Sequence, residues 1–263
     1  MSNIFITGGA GYVGSMLVPK LLKLGHKVTV FDLMIYGDKV LDDHKNLKKI
    51  TGDIRNQNLL RQTLKDHDVV IHLACISNDP SYELNPTLGK SINFDAFEPL
   101  VKISRESDVQ KFIYASSSSV YGIKKEKNVT EDMKLEPLTD YSRFKGECEK
   151  ILNSYKSNDF ITTTIRPSTV CGYGKRQRLD LVVNILTNHA YHNREIKVFG
   201  GDQLRPNLHI NDMVDSYITI LNAPIQNING EIFNVGFKNQ SVNNLANDVK
   251  KVIGEDVKII NTK

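Results

Sequence analysis

The 263-residue chain has little cysteine, little net charge and no long apolar run, and each shortage excludes a class of protein. Its three cysteines, Cys75, Cys148 and Cys171, are an odd number and form no C-x-x-C pair. That argues against a disulfide framework or a zinc site, so no metal is expected, and a reducing cytoplasm is the expected setting. Lys and Arg number 34 against 30 Asp and Glu, an excess too small to point to nucleic acid. No stretch approaches the length of a membrane span, and no basic segment at the N-terminus leads into a long apolar core. Neither a membrane anchor nor a signal peptide is therefore expected. Hydrophobic residues at 40% and charged residues at 24% are ordinary for a globular protein of one large domain, or one domain and a smaller lobe.

What is present starts at the first residues, MSNIFITGGAGYVG. Residues 3–7 are a short apolar, β-branched run that predicts a buried strand. Gly8, Gly11 and Gly14 follow at G-x-x-G-x-x-G spacing, and residues 12–24 carry an apolar face at helical period. Glycines between a strand and a helix let the backbone turn sharply and approach a pyrophosphate. The helix N-terminus behind them offers free N–H groups and the positive end of its dipole. An ordinary glycine-rich turn is the competing reading, and the strand–turn–helix context favours the dinucleotide site. A second strand, 27–33, ends near Asp32. A carboxylate there accepts hydrogen bonds from both adenosine ribose hydroxyls and repels a 2′-phosphate, favouring NAD over NADP.

Strands are predicted at 47–51, 68–73, 111–115 and 160–166, with helices at 56–65, 88–107 and from 139 or 140 to 155. Residues 74–86 read as a loop and 121–138 as a charged loop. Strands alternating with helices predict an α/β fold, a Rossmann-type doubly wound parallel sheet. After residue 168 the pattern loosens, with helices predicted at 179–190, 213–221 and 242–253 and strands at 196–199, 231–235 and 257–260. A smaller C-terminal substrate lobe built from these elements would set a cleft beside the carboxyl ends of the strands.

Tyr141 and Lys145, in YSRFK, are four apart and share a helix face. An ammonium beside a phenol favours the phenolate, which would lower the tyrosine pKa and make a base for a hydroxyl proton. An exposed tyrosine with a lysine nearby is equally common. The serine run at 116–119, directly after a predicted central strand, adds hydroxyls at the same sheet edge. Two basic runs stand out: 124–127 reads as a solvated loop, while 175–178 is either a solvated loop or a contact for a diphosphate or charged sugar.

The whole chain resembles an extended short-chain dehydrogenase/reductase of the NAD-dependent nucleotide-sugar epimerase/dehydratase family. The resemblance rests on TGGAGYVG at 7–14, Asp32, GDIRN at 52–56, HLA at 72–74, SSSSVYG at 116–122, YSRFK at 141–145 and RPNLHINDM at 205–213. It implies NAD held by Gly8, Gly11, Tyr12, Val13, Gly14 and Asp32, with Asp53 and Ile54 at the adenine. Leu73, Ala74, Cys75, Asn93, Pro167 and Thr169 would border the cofactor, Cys75 standing where the family more often has alanine. Tyr141 becomes the base, Lys145 holds the nicotinamide ribose, and Ser117 is the catalytic hydroxyl. Ser117, Ser118, Asn184, Phe199 and Arg205 become contacts for a nucleoside-diphosphate sugar, and His209 a structural residue beneath the cleft.

The implied activity is epimerisation by transient oxidation of a sugar hydroxyl, at C4. Net oxidation or reduction of the sugar is the alternative enzyme, and an NAD(H)-binding redox sensor the alternative outside enzymes. A 4,6-dehydratase has an Asp-Glu pair where this chain has Ser118-Ser119, which disfavours loss of water. Thr169 stands where several epimerases have asparagine. The implied division is an NAD-binding domain over 1–167, to which 209–235 returns, and a substrate lobe over 168–208 and 236–263, truncated at its C-terminus. A homodimer through the helices at 88–107 and 141–155 is also implied.

Overall fold

The structure, a computed structural model, describes residues 1–126 and 128–262, so that Lys127 of the basic run at 124–127 and Lys263 lie outside the described residues. In chain order the strands are β1 (Asn3–Thr7), β2 (Lys27–Asp32), β3 (Leu47–Thr51), β4 (Val69–His72), β5 (Lys111–Ala115), β6 (Ile161–Pro167), β7 (Thr169–Cys171), β8 (Glu195–Phe199), β9 (Leu204–His209), β10 (Glu231–Val235), β11 (Lys238–Ser241) and β12 (Lys258–Thr262). Seven of them form one parallel sheet in the order β10-β6-β5-β4-β1-β2-β3. The direction of winding reverses between β1 and β4, whose last residues, Thr7 and His72, are register partners. In an open α/β sheet the ligand crevice lies outside the carboxyl ends at such a reversal.

Period-two alternation divides the core into two layers. Ile4 and Ile6 of β1, with Val28 and Val30 of β2, pack under α1 (Gly14–Lys23) and a later helix, α8 (Ile210–Asn222), through Leu17, Leu21, Met213 and Tyr217. Phe5 and Phe31 point the other way. They join Val70, Phe112 and Tyr114 beneath α2 (Gln57–Thr63), α5 (Phe97–Glu106) and α6 (Asp140–Ser154). The structure is therefore the doubly wound α/β fold of the Rossmann type, with helices on both faces of a parallel sheet.

Beyond β6 the chain builds two smaller sheets, β11-β9-β7 and β12-β8. The second is covered by α7 (Val182–Asn193) and α9 (Val242–Ile253), which meet over Leu186, Ala190, Ile196 and Val198. α8, which falls between these two helices in chain order, is longer than the 213–221 expected and packs on the main sheet. β7, β9 and β11 carry no apolar run: β9 reads LRPNLH and β11 KNQS.

Two expectations need correction. The stretch 88–107 is not one helix. It divides into α4 (Pro86–Lys90), a π-type turn (Ser91–Asp95) and α5. The stretch 74–86 is not all loop, because α3 (Asp79–Glu83) forms there. Asn78 and Asn85 cap α3 and α4, accepting from the N–H groups of Ser81 and Leu88.

Candidate active site

The site begins where β1 stops. Gly8 has φ +72°, and a Cβ there would lie 2.6 Å from the backbone nitrogen of Ala74. A Cβ on Gly14 would lie 2.3 Å from the carbonyl oxygen of Gly9. Only glycine allows both approaches, which keep the turn flat against the sheet edge. No side chain caps α1 and its first turn has no acidic residue, so nothing of the chain competes for an anion at that end. The cradle fits a dinucleotide pyrophosphate, and the residues around it fit the two halves of NAD.

On the adenosine side, the Asp32 carboxylate accepts from the N–H groups of Ala10 at 3.0 Å and Met34 at 2.9 Å. These bonds fix its position and leave lone pairs free for ribose hydroxyls. Asp53 is paired with Arg55, whose guanidinium holds its carboxyl below the ordinary range. Ile54 is buried in the core layer that contains Phe31.

The floor of the other half is made by β4 and the segment after it. Thr7 Oγ1 and His72 Nδ1 lie 2.7 Å apart, and His72 stacks on Tyr114. Burial, with the Lys145 ammonium nearby, pushes His72 down to about 3, so it is neutral here. Leu73 donates to Thr7, and Ala74 and Cys75 follow it into the crevice. The amide of Asn93, on the π-type turn, braces the loop by bonding both backbone groups of Ile76, at 2.8 and 2.9 Å. Among the described residues, no three His, Cys, Asp or Glu side chains are placed to hold a metal ion.

Tyr141 and Lys145 lie on the buried face of α6, at 8% and 5% exposure. A capping box of Thr139 and Ser142 starts this helix. Lys145 Nζ donates 2.7 Å to the carbonyl of Ala115, sits over the Tyr114 ring and lies 5.9 Å from the Tyr141 ring centre. Tyr82 meets Tyr141 edge-on. The expected lowering of the Tyr141 pKa is reversed in direction. Burial pushes the phenol up because it strips water from the phenolate, and the Lys145 ammonium and Arg178 only pull it part of the way back. Ser117, two residues past Ala115, is extended, and its Oγ accepts from the backbone N–H of Ser119 at 3.1 Å and from the Ser119 hydroxyl at 2.9 Å. Ser118 opens the one-turn helix that follows.

Beneath these residues lies a buried polar network that the sequence reading missed. The Ser116 hydroxyl donates to Glu149, which also takes Nε and Nη2 of Arg166, the latter at 2.6 Å. Arg166 Nη1 donates to the Tyr121 hydroxyl at 2.6 Å, and Tyr121 donates to the Asn234 side chain of β10 at 2.7 Å. The available signal was helical spacing: Glu149 stands four residues after Lys145.

Residues 172–180 form a strap over the glycine turn. Tyr12 donates 2.6 Å to the carbonyl of Gly172. Lys175 pairs with Asp42, and the Arg176 guanidinium lies 3.7 Å from the centre of the Tyr36 ring. At the other end Arg178 pairs with Asp180 and donates to Ser77 at 3.0 Å, while Asn78 donates to Asp180 at 2.7 Å. The basic run thus divides between the two walls of the crevice.

The residues expected at the substrate are not gathered in one place. Asn184 is buried and its amide is already engaged, with Gly172 N–H at 2.9 Å, the Arg178 carbonyl at 2.8 Å and the Tyr12 hydroxyl at 3.3 Å. Pro167 ends β6 and Thr169 opens β7, both half-buried beside the crevice. Arg205 on β9 is exposed and bonds Gln203, and Phe199, at the end of β8, is 64% exposed. His209 caps α8, accepting from Asn211 N–H at 3.2 Å.

Comparison with known proteins gives consistent results. A UDP-glucose 4-epimerase from Lactobacillus helveticus is 28% identical, over 97% of this chain and 83% of its own length. A human dTDP-D-glucose 4,6-dehydratase is 27% identical, over 96% of this chain and 74% of its own. The crystal structure of UDP-glucuronic acid 4-epimerase from Bacillus cereus, in complex with UDP-glucuronic acid and NAD, superposes with a TM-score of 0.88. It is 28% identical and covers 99% of this chain and 86% of that one. Residues 4–236, from β1 through β10, match the NAD dependent epimerase/dehydratase family, and the chain belongs to that family.

Proposed function

We propose that this protein is an NAD-dependent epimerase of nucleoside-diphosphate sugars that transiently oxidises the sugar hydroxyl at C4, with Tyr141 as base. The observation that carries the reading is the placing of Tyr141 and Lys145 on one buried helix face, with Lys145 bonded to Ala115 two residues before Ser117. NAD supplies the acceptor for the hydride and the donor that returns it.

The chain's own residues do the rest. Gly8, Gly11 and the start of α1, at Tyr12, Val13 and Gly14, take the pyrophosphate, and Asp32 takes the adenosine ribose. Asp53 and Ile54 flank the adenine. Lys145 holds the nicotinamide ribose and favours the Tyr141 phenolate, with Leu73, Ala74, Cys75, Asn93, Pro167 and Thr169 around it. Tyr141 takes the proton from the sugar hydroxyl and gives it back. Ser117 hydrogen-bonds the same oxygen, so the charge that develops there meets a fixed donor. Ser118, Asn184, Phe199 and Arg205 contact the substrate, Asn184 once its present partners rearrange. The division of the chain into an NAD-binding domain and a substrate lobe, a cytoplasmic setting and a homodimer belong to the same reading.

Dehydratases are also among the relatives. Loss of water needs an acid and a base beside the catalytic hydroxyl, and Ser118 and Ser119 supply neither carboxyl group. The test is mass-resolved chromatography of a panel of nucleoside-diphosphate sugars after incubation with the protein and a trace of NAD⁺. A new peak of unchanged mass, absent with Tyr141→Phe, is the expected result. Loss of two hydrogens matched by NADH would replace the epimerase by a dehydrogenase. Loss of water would overturn the argument from the serines, and binding of NAD without turnover would favour the sensor.

A further inference from the structure

Three residues on α6 stand four apart and are all buried: Tyr141, Lys145 and Glu149, at 8%, 5% and 4% exposure. The spacing lines them along one stripe of the helix. The second and third of them grip consecutive residues at the carboxyl end of β5. Lys145 holds the carbonyl of Ala115, and Glu149 accepts from the hydroxyl of Ser116. The next residue is Ser117.

Neutralising Arg166 does not account for this arrangement. Both Glu149 oxygens already face the guanidinium, and the ion pair joins α6 to β6 without help from Ser116. Yet the Ser116 side chain is turned inward, at 4% exposure, while its N–H is held by the carbonyl of Ile165 at 2.8 Å. Residue 116 is thus clamped through both backbone and side chain. Ser117 is extended, with φ −159° and ψ 146°. In extended backbone, neighbouring side chains point to opposite sides. Holding the Ser116 hydroxyl against Glu149 therefore sends the Ser117 side chain to the opposite side of the backbone, where its hydroxyl meets Ser119.

We propose that Glu149 is a positioning residue for the Ser117 hydroxyl, acting through Ser116. The inference rests on the role given to Ser117 above. The helix that carries the base then also sets the aim of the second catalytic hydroxyl, so the two keep their relation when the helix shifts as a body.

Ser116→Ala tests this, because it removes the link and leaves the ion pair whole. With UDP-glucose as the probe, kcat falls about tenfold, within the range expected of a small misplacement near the chemistry. KM and NAD affinity stay within about twofold, as binding contacts are untouched. In a Ser117→Ala background the same change causes no further loss of kcat, the non-additivity of two residues acting through one group. Hydrogen exchange, which needs no substrate, shows faster exchange at residues 116–119 in Ser116→Ala and in Glu149→Gln. Wild-type kcat in Ser116→Ala, or a loss that adds in full to that of Ser117→Ala, overturns the proposal. Full activity in Ser117→Ala alone overturns instead the role of Ser117, and unchanged exchange at 116–119 then removes the positioning role as well.

Discussion

The Tyr12 hydroxyl donates 2.6 Å to the carbonyl of Gly172, a residue 160 positions further along the chain. One bond thereby ties the glycine turn to the strap that crosses it. Tyr12→Phe keeps the ring that packs against Gly174 and deletes the bond. A hydrogen bond of this kind contributes about 1 kcal/mol net. The strap should then open more often, and NAD should leave about fivefold faster for 1 kcal/mol. Stopped-flow measurement of NAD⁺ release checks this, and an unchanged off-rate would remove the strap from cofactor retention.

Asp32 accepts from the N–H groups of Ala10 and Met34 at the end of β2, and is the residue proposed to take the adenosine ribose. Asp32→Asn keeps an acceptor oxygen and removes the charge. NAD⁺ affinity should weaken about tenfold, a change of 1.4 kcal/mol, while NADP⁺ affinity improves relative to it. Titration calorimetry with both cofactors decides. Retained rejection of NADP⁺ would show that something other than the charge of Asp32 excludes the 2′-phosphate.

His72 gives the fold a pH dependence of known sign. Its folded pKa, about 3, lies below the ordinary 6.5. Below pH 6.5 the unfolded chain binds a proton that the folded chain refuses, so stability falls as pH falls. Between pH 6.5 and 5 this one group should cost about 2 kcal/mol. His26 and His67 are shifted the same way by burial and add to the slope. Urea unfolding across that window should show a flatter pH dependence in His72→Gln than in the wild type, whatever the variant's absolute stability. Equal slopes would mean that His72 charges in the folded state.

The Glu149–Arg166 pair is 3% exposed on each side chain. Breaking one half, as in Arg166→Met, should cost about 3–5 kcal/mol, since it strands a buried charge. Replacing both, as in Glu149→Met with Arg166→Met, should restore most of that stability, because an apolar pair avoids the desolvation penalty. Turnover should not return with it, as the Ser116 hydroxyl loses its acceptor. Calorimetry and activity on the same samples separate the two effects, and recovery of both together would make the pair purely structural.

The first half of the fold was legible because its signals are local. Ile4, Phe5 and Ile6 announce a two-sided buried strand, and the glycines after them can do little else but turn. The Tyr141–Lys145 spacing needed only a helix to become a shared face. Other features escaped because their partners are distant. Ser116 and Glu149 are 33 residues apart, and Tyr121 and Asn234 are 113 apart. β9 and β11 pair with each other through polar residues, so no hydrophobic period marks them. The break at Ser91–Asp95 contains neither proline nor glycine, so no helix-breaking residue marks it. The direction of the Tyr141 pKa was misread because charge is visible in a sequence and desolvation is not.

The place of β10 in the sheet has a consequence for synthesis. It is the last of the seven strands made and it docks beside β6, where the Asn234 side chain accepts from the Tyr121 hydroxyl and the Asn234 backbone N–H donates to the Glu131 carboxylate at 2.7 Å. Strands β1 to β6 can pair in a nascent chain as they emerge, since domains fold largely as units during translation. The segment that holds Ser117, however, gains its last support only when residue 234 has left the ribosome. For the whole interval between β6 and β10 the growing chain has a sheet with an open edge at β6, which is the exposure that chaperones recognise. The surroundings of residues 116–121 are therefore completed in one step, when β10 docks and closes the sheet at β6.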